Sequence, residues 1–133
     1  IFDRTIEKNG LKDTAAKLGK GIIAFSPLSQ GLLTDRYLKG IPADSRIMTD
    51  GRFLKAGALT PERLEQIRKL NDLAAQRGQT LAQMALSWVL RDGSVTSVLA
   101  CASRPEQVLD NIQAAQNTTF TSDELALIDS ISL

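Results

Sequence analysis

The chain has 133 residues, 43% hydrophobic and 23% charged, with a formal net charge of +1; it can bury a real core, and no global field favours nucleic acid or a membrane surface. It has no histidine and one cysteine, Cys101, which excludes Ser-His-Asp catalysis, His-ligated metal sites and an internal disulfide. No apolar run approaches the roughly 20 residues of a membrane span and no basic-then-apolar leader opens the sequence, so a cytoplasmic protein without membrane or nucleic-acid partners is expected.

Ile1 to Arg4 reads as the tail of a strand. Leu11 to Leu18 predicts a short helix with Leu11, Ala15 and Leu18 on one face, ended by Gly19 and Gly21. Ile22 to Phe25 then predicts a short buried strand. Pro27 and Gly31 turn the chain directly after it, in a small, hydroxyl-rich segment. A connection follows from about Pro27 to Thr60, with one short helix around Leu32, Leu33, Tyr37 and Leu38. Connections of this length often serve as lids or binding loops, and the plainer alternative is a solvated insertion.

Thr60-Pro61 opens a helix with Leu64, Ile67, Leu70, Leu73 and Ala74 along one face and Gly78 at its end. Thr80 and Gln83 form a capping box for the next helix, whose buried face is Leu81, Met84, Ala85 and Trp88. Asp92-Gly93 turns the chain into a second buried strand, Val95 to Ala100. Ser103 and Glu106, with Pro105 between them, predict another boxed helix with Val108, Leu109 and Ile112 facing inward. Thr121 and Glu124 open the last helix, striped by Leu125, Ile128 and Ile131.

Strands alternating with helices imply an α/β fold with parallel pairing. Two strands do not make a sheet covered on both faces. The pattern therefore fits a piece of a larger α/β architecture, the C-terminal portion of a (β/α)8 TIM barrel, which needs about 250 residues when whole. Such a piece leaves sheet edges open, so self-association into a homo-oligomer is expected of it alone.

Ligands of such folds meet the C-terminal ends of the strands. Two segments qualify, Phe25 to Gln30 and Cys101 to Gln107. Ser103 at a helix start and Arg104 beside it suit an anion, while Gln107, Asp110 and Asn111 share the following helix face. The plainer reading is a simple cap, a solvated arginine and ordinary surface. Phe25 reads either as core or as a flat face for a planar heterocycle. Arg36 and Arg46 read either as solvated charges or as a clasp on a pyrophosphate. Trp88 and Met84 read as core, and Cys101 as small buried filler rather than a reactive thiol.

The blocks FSPLSQGLLTDRYLKGIPADSR, LAQMALSWVLRDGSVTSVL, ASRPEQVLDNI and LALID, in this order, resemble the aldo-keto reductases, in the branch of the glyceraldehyde-phosphate reductases and potassium-channel beta subunits. The resemblance implies a (β/α)8 barrel that binds NADP(H) and reduces a small-molecule aldehyde or ketone. It implies that Phe25 stacks on the nicotinamide and that Ser26, Pro27, Leu28 and Gln30 wrap the pyrophosphate under a clasp of Arg36 and Arg46. Ser103 and Arg104 then fall at the adenosine 2′-phosphate, and Gln107, Asp110 and Asn111 at adenine and ribose. Glycine is usual where Cys101 stands. The catalytic Asp, Tyr, Lys and His of the resembled proteins have no counterpart here, so no catalytic residue is assigned, and this chain alone is expected to be inactive. A nicotinamide-binding redox sensor of the channel-beta kind is the alternative, and a silent self-associating fragment a third.

Overall fold

The computed structural model describes residues 1–43, 45–49 and 56–133, with only the backbone of Arg46, Thr49 and Ala56. In chain order the elements are α1 (Thr5–Lys8), α2 (Leu11–Lys17), β1 (Ile23–Ala24), two 3₁₀ turns (Ser29–Gly31 and Asp35–Tyr37), α3 (Arg46–Thr49), a 3₁₀ turn (Ala56–Ala58), α4 (Pro61–Gln76), α5 (Leu81–Leu90), β2 (Ser97–Val98), α6 (Pro105–Ile112), a 3₁₀ turn (Gln113–Gln116) and α7 (Ser122–Ser132).

The α4–α5 pair is the scaffold, and its boundaries follow from local chemistry. Thr60 Oγ1 accepts the Arg63 N–H at 3.2 Å, and Pro61 takes the first helical position, where a missing N–H costs nothing. Ile67, Leu70, Leu73 and Ala74 recur at helical spacing and are buried. Gly78, at φ 68°, lets the chain leave α4 through the left-handed region. The Thr80–Gln83 capping box then starts α5. Leu81, Met84, Ala85, Leu86, Ser87 and Trp88 are all buried, so α5 is the interior helix. Buried Ser87 is satisfied: its hydroxyl donates to the Ala114 carbonyl at 2.8 Å and accepts from Gln79 Nε2 at 2.9 Å. The core joins α4 and α5 to Leu33 and Tyr37 on one side and to Ile128 and Ile131 of α7 on the other.

The strands pair in parallel, Ile23 opposite Ser97 and Ala24 opposite Val98. They are shorter than the predicted spans, two residues each, and Ile23 is 65% exposed rather than buried. Among the described residues each strand has one neighbour, and Ala24 and Val98 are half-buried while Ile23 and Ser97 are exposed, so the ladder is short and open on one face. The same openness corrects the α6 prediction. Val108, Leu109 and Ile112 are exposed, because the inward face of α6 has no layer to meet. In α2 only Ala15 is buried, while Leu11 and Leu18 are exposed. Residues 1–4 form no strand, although Ile1 joins the core.

Ser103 and Glu106 do not form the predicted box. Arg104 is the N-cap residue of α6, with no side-chain cap. The Gln107 side chain reaches back instead and accepts the Ser103 N–H at 2.8 Å. Glutamine one position further on can span that distance because Pro105 shifts the first turn by one residue.

Two guanidinium groups lie over the rings of Trp88, Arg4 at 4.3 Å and Arg91 at 3.7 Å from a ring centroid. Arg4 pairs with Asp129 at 2.8 Å, Arg91 with Glu7 at 3.1 Å, and Lys12 with both Glu7 and Asp92 at 2.8 Å. This network fastens α1 and α2 to the end of α5. Partial burial disfavours ionisation of Glu7, but hydrogen bonds from Lys12 and Arg91 outweigh it and hold the pKa below the usual value. Burial of Asp92 is likewise outweighed by Lys12 and Ser94, and its carboxyl is held well below the usual range. A folded pKa below the unfolded one adds stability that is fully present above about pH 4 and is lost as pH falls further. The melting temperature is therefore expected to hold from neutral to about pH 5 and to fall below about pH 4. Lys12→Met is expected to lower the plateau and flatten the fall, read by circular dichroism melts across a pH series. A fall of unchanged steepness in Lys12→Met would remove this network from the account.

Candidate functional site

Because β1 and β2 run parallel, both end at the same edge. The segments that follow them face each other across a cavity of about 830 Å³, within the range of small-molecule sites. One wall is built from residues 26–28, 30, 31 and 34–37, and the other from residues 99–101, 103, 104, 107, 110 and 111. Thr80, Leu81 and Ala82 at the start of α5, with Asn71 of α4, complete the lining.

The first wall is a strained loop on a rigid base. Ser26, Ser29 and Gln30 lie in the left-handed region at φ 51°, 49° and 61°, and are the non-glycine residues that do so among the described residues. Each such residue costs about 1–2 kcal/mol and persists only where its surroundings impose it. Here Leu32, Leu33 and Tyr37 anchor the loop in the core. The Gly31 N–H donates to the Leu28 carbonyl at 2.9 Å, and the Leu33 N–H donates to the same oxygen at 3.1 Å. The Thr34 hydroxyl donates to the Gly31 carbonyl at 2.7 Å. Gly31 itself, at φ 94°, is the position where any side chain would be strained. A right-handed residue followed by a left-handed one, as at Leu28 (φ -95°) and Ser29, turns neighbouring backbone N–H groups to one side, the geometry of nests for anionic oxygens.

The second wall is the amino-terminal half of α6. With no side-chain cap, its first turn keeps its dipole and the Glu106 N–H available, while Pro105 has no donor and the Gln107 N–H turns back to the Arg104 carbonyl at 3.1 Å. Arg104 is exposed and has no ion-pair partner among the described residues. Asp110 is held by Gln83 of α5, whose Nε2 lies 2.7 Å from Asp110 Oδ1.

Ser26, Pro27, Leu28, Gln30, Arg36, Ser103, Arg104, Gln107, Asp110 and Asn111 all line this one cavity. Phe25 does not. It is 80% exposed beside Ser26, which excludes the core reading of this residue. Arg46 begins α3, and its side chain lies outside the described residues. Cys101 is exposed and lines the cavity, so it is not buried filler. Its backbone is not left-handed, so a side chain is tolerated there without strain. Trp88 and Met84 are buried, as expected.

Thr34, Asp35, Asn71, Thr80 and Ala82 were not visible as site residues from sequence. Thr80 carried a signal, its capping box, but a box reports a helix start and not a cavity beside it. Asn71 carried none, since nothing local distinguishes it from other polar positions of α4. A smaller cavity of about 400 Å³ lies on the far side of Ser29, lined by Phe2, Asp3, Leu32, Gly57, Ala58, Thr60 and Arg63. Among the described residues no helix is long and apolar enough to cross a membrane, and no group of three or more His, Cys, Asp or Glu is placed to hold a metal.

Comparison with known proteins gives this geometry a setting. The chain is 53% identical over 132 residues to the L-glyceraldehyde 3-phosphate reductases of Escherichia coli O157:H7 and K12, a match covering 97% of this chain and 38% of each relative. It is 38% identical over 117 residues to the "Putative voltage-gated potassium channel subunit beta" of Schizosaccharomyces pombe, covering 85% of this chain and 34% of that one. Among solved structures it is similar to the glycerol dehydrogenase of Gluconobacter oxydans, with a TM-score of 0.74 and 29% identity over 98% of this chain and 39% of the other. A thermostable aldo-keto reductase gives a TM-score of 0.64 at 25% identity, over 97% and 36%. The chain thus spans about 38% of the length of the curated relatives it matches, and its two-stranded layout is part of their (β/α)8 barrel. The Aldo/keto reductase family profile matches residues 1–133 without a break. The chain belongs to the aldo/keto reductase family.

Proposed function

We propose that the whole protein carrying this chain is an NADP(H)-dependent reductase of aldehydes or ketones, and that this chain supplies its cofactor-binding part. One observation carries the reading: the left-handed loop after β1 and the uncapped start of α6 close on a single cavity. The donor set fits a dinucleotide. The backbone N–H groups of Ser26 and Leu28, which donate to no backbone carbonyl of the loop, suit a pyrophosphate, with Arg36 beside them, and Arg46 belongs to the same proposed clasp. Ser103, Arg104 and the first turn of α6 suit a 2′-phosphate. Gln107, Asp110 and Asn111 offer amide and carboxylate groups to adenosine. Exposed Phe25 offers a flat face to the nicotinamide ring.

When bound, the cofactor supplies a hydride to a carbonyl carbon. The residues of this chain bind it, orient it and hold its charge. Tyr37, the one tyrosine in the sequence, borders the cavity but is 3% exposed and packed in the core with its ring against Gly31, so the proton donor to the carbonyl oxygen is assigned to a residue outside these 133. The open faces of α6, β1 and β2 also support self-association of the chain when alone.

The test compares the 133-residue chain with the whole protein, by NADPH oxidation with a reactive aromatic aldehyde and by light scattering. Turnover is expected from the whole protein only, and larger species from the isolated chain. Turnover by the isolated chain would overturn the placement of the chemistry, and a monodisperse monomer would remove the self-association. The Schizosaccharomyces pombe relative favours a second reading, a nicotinamide-binding redox reporter. NADPH binding without turnover in the whole protein would select it.

A further inference from the structure

Gln83 performs two tasks with one amide. Its Oε1 accepts the Thr80 N–H at 2.9 Å, completing the cap of α5. Its Nε2 donates to α6, to Asp110 Oδ1 at 2.7 Å and to the Asp110 carbonyl oxygen at 3.2 Å. The amide nitrogen is therefore engaged by one residue of α6, and the amide oxygen by the start of its own helix. The amide has one workable orientation. Turned over, it would set its NH₂ against the Thr80 N–H and its carbonyl against a carboxylate. The bond to Asp110 Oδ1 is charge-assisted, the stronger class of hydrogen bond.

Asp110 lines the cavity. One of its oxygens is engaged by Gln83, and the other, Oδ2, has no partner among the described residues. An aspartate held in this way has a fixed rotamer and a single free acceptor. Ribose hydroxyls and a purine amine are the donors that such an acceptor takes.

We propose that Gln83 is a positioning residue for the adenosine part of the ligand, acting through Asp110. It sets the direction of that carboxylate and the spacing of α6 from α5, and it touches no reacting atom. This rests on the reading of the cavity as a dinucleotide site and says which half of the ligand depends on Gln83.

The whole protein is tested with two half-ligands, 2′,5′-ADP and reduced nicotinamide mononucleotide, and with NADPH turnover. Gln83→Leu keeps the volume and removes every hydrogen bond of the amide. It is expected to weaken 2′,5′-ADP about tenfold, to leave reduced nicotinamide mononucleotide unchanged, and to raise the KM for NADPH with kcat unaltered. The exchange variant, Gln83→Glu with Asp110→Asn, reverses donor and acceptor in the side-chain pair and returns an amide oxygen to the cavity, at the loss of the longer bond to the residue 110 carbonyl. It is expected to bind 2′,5′-ADP more tightly than either Gln83→Leu or Asp110→Asn. Unchanged 2′,5′-ADP binding in Gln83→Leu would overturn the role of Gln83 and leave the site reading intact. Equal weakening of both half-ligands would overturn it as well, since that is general damage. Failure of the unmutated protein to bind either half-ligand would overturn the dinucleotide reading itself, and this inference with it.

Discussion

Arg104→Ala is expected to weaken NADPH about 10- to 100-fold, the size of a lost charge-assisted pair, and to leave NADH within about twofold. The two cofactors differ only in the 2′-phosphate, so the ratio of the two losses isolates one group of the ligand. Arg104 suits that group because it stands at the start of α6, lines the cavity and has no competing carboxylate among the described residues. A guanidinium fork meets a phosphate through two parallel N–H donors, which a lysine cannot reproduce, so Arg104→Lys should recover only part of the loss. Fluorescence titration of both reduced cofactors checks this. Equal losses would remove the 2′-phosphate from Arg104.

Trp88→Ala is expected to destabilise the fold by about 3–5 kcal/mol. Trp88 is the largest side chain on the interior face of α5 and carries two guanidinium groups over its rings. Truncation opens a cavity and also removes the surface on which Arg4 and Arg91 lie. Trp88→Phe should cost less, about 0.5–3 kcal/mol. It loses volume but no hydrogen bond, because Trp88 Nε1 has no partner among the described residues. Urea unfolding reads both variants through the shift in midpoint at constant slope. Equal destabilisation by the two would show that ring bulk does not decide the packing there.

The parts of the fold legible from sequence were those fixed by near neighbours. Thr60-Pro61, Thr80 with Gln83, and Thr121 with Glu124 start helices as written, because a cap needs only three or four residues. Ile67, Leu70, Met84 and Ile128 are buried as their spacing predicts. The α6 face was misread because periodicity shows which residues share a side and not whether another layer meets that side. Val108, Leu109 and Ile112 are amphipathic in sequence and uncovered in space. The strands shortened for the same reason. Most of the candidate site was legible through strand tips and the family resemblance, since both point to loops at one edge. Gln83 as a bridge to Asp110 was not legible, because the partners lie 27 residues apart and the capping box already accounted for the glutamine.

The two walls of the cavity belong to segments some 60 residues apart in sequence, joined at their base by a ladder two residues long. The ladder is short, α5 ties the two walls as well through Leu33 and Tyr37 on one side and Gln83 on the other, and a guest that bridges the gap would add one more cross-brace between them. Occupancy then raises the free energy of melting by about 2.7 kcal/mol at a hundred times Kd. In such a design the ligand is a structural member as well as a reactant, and the starved protein is the softer one.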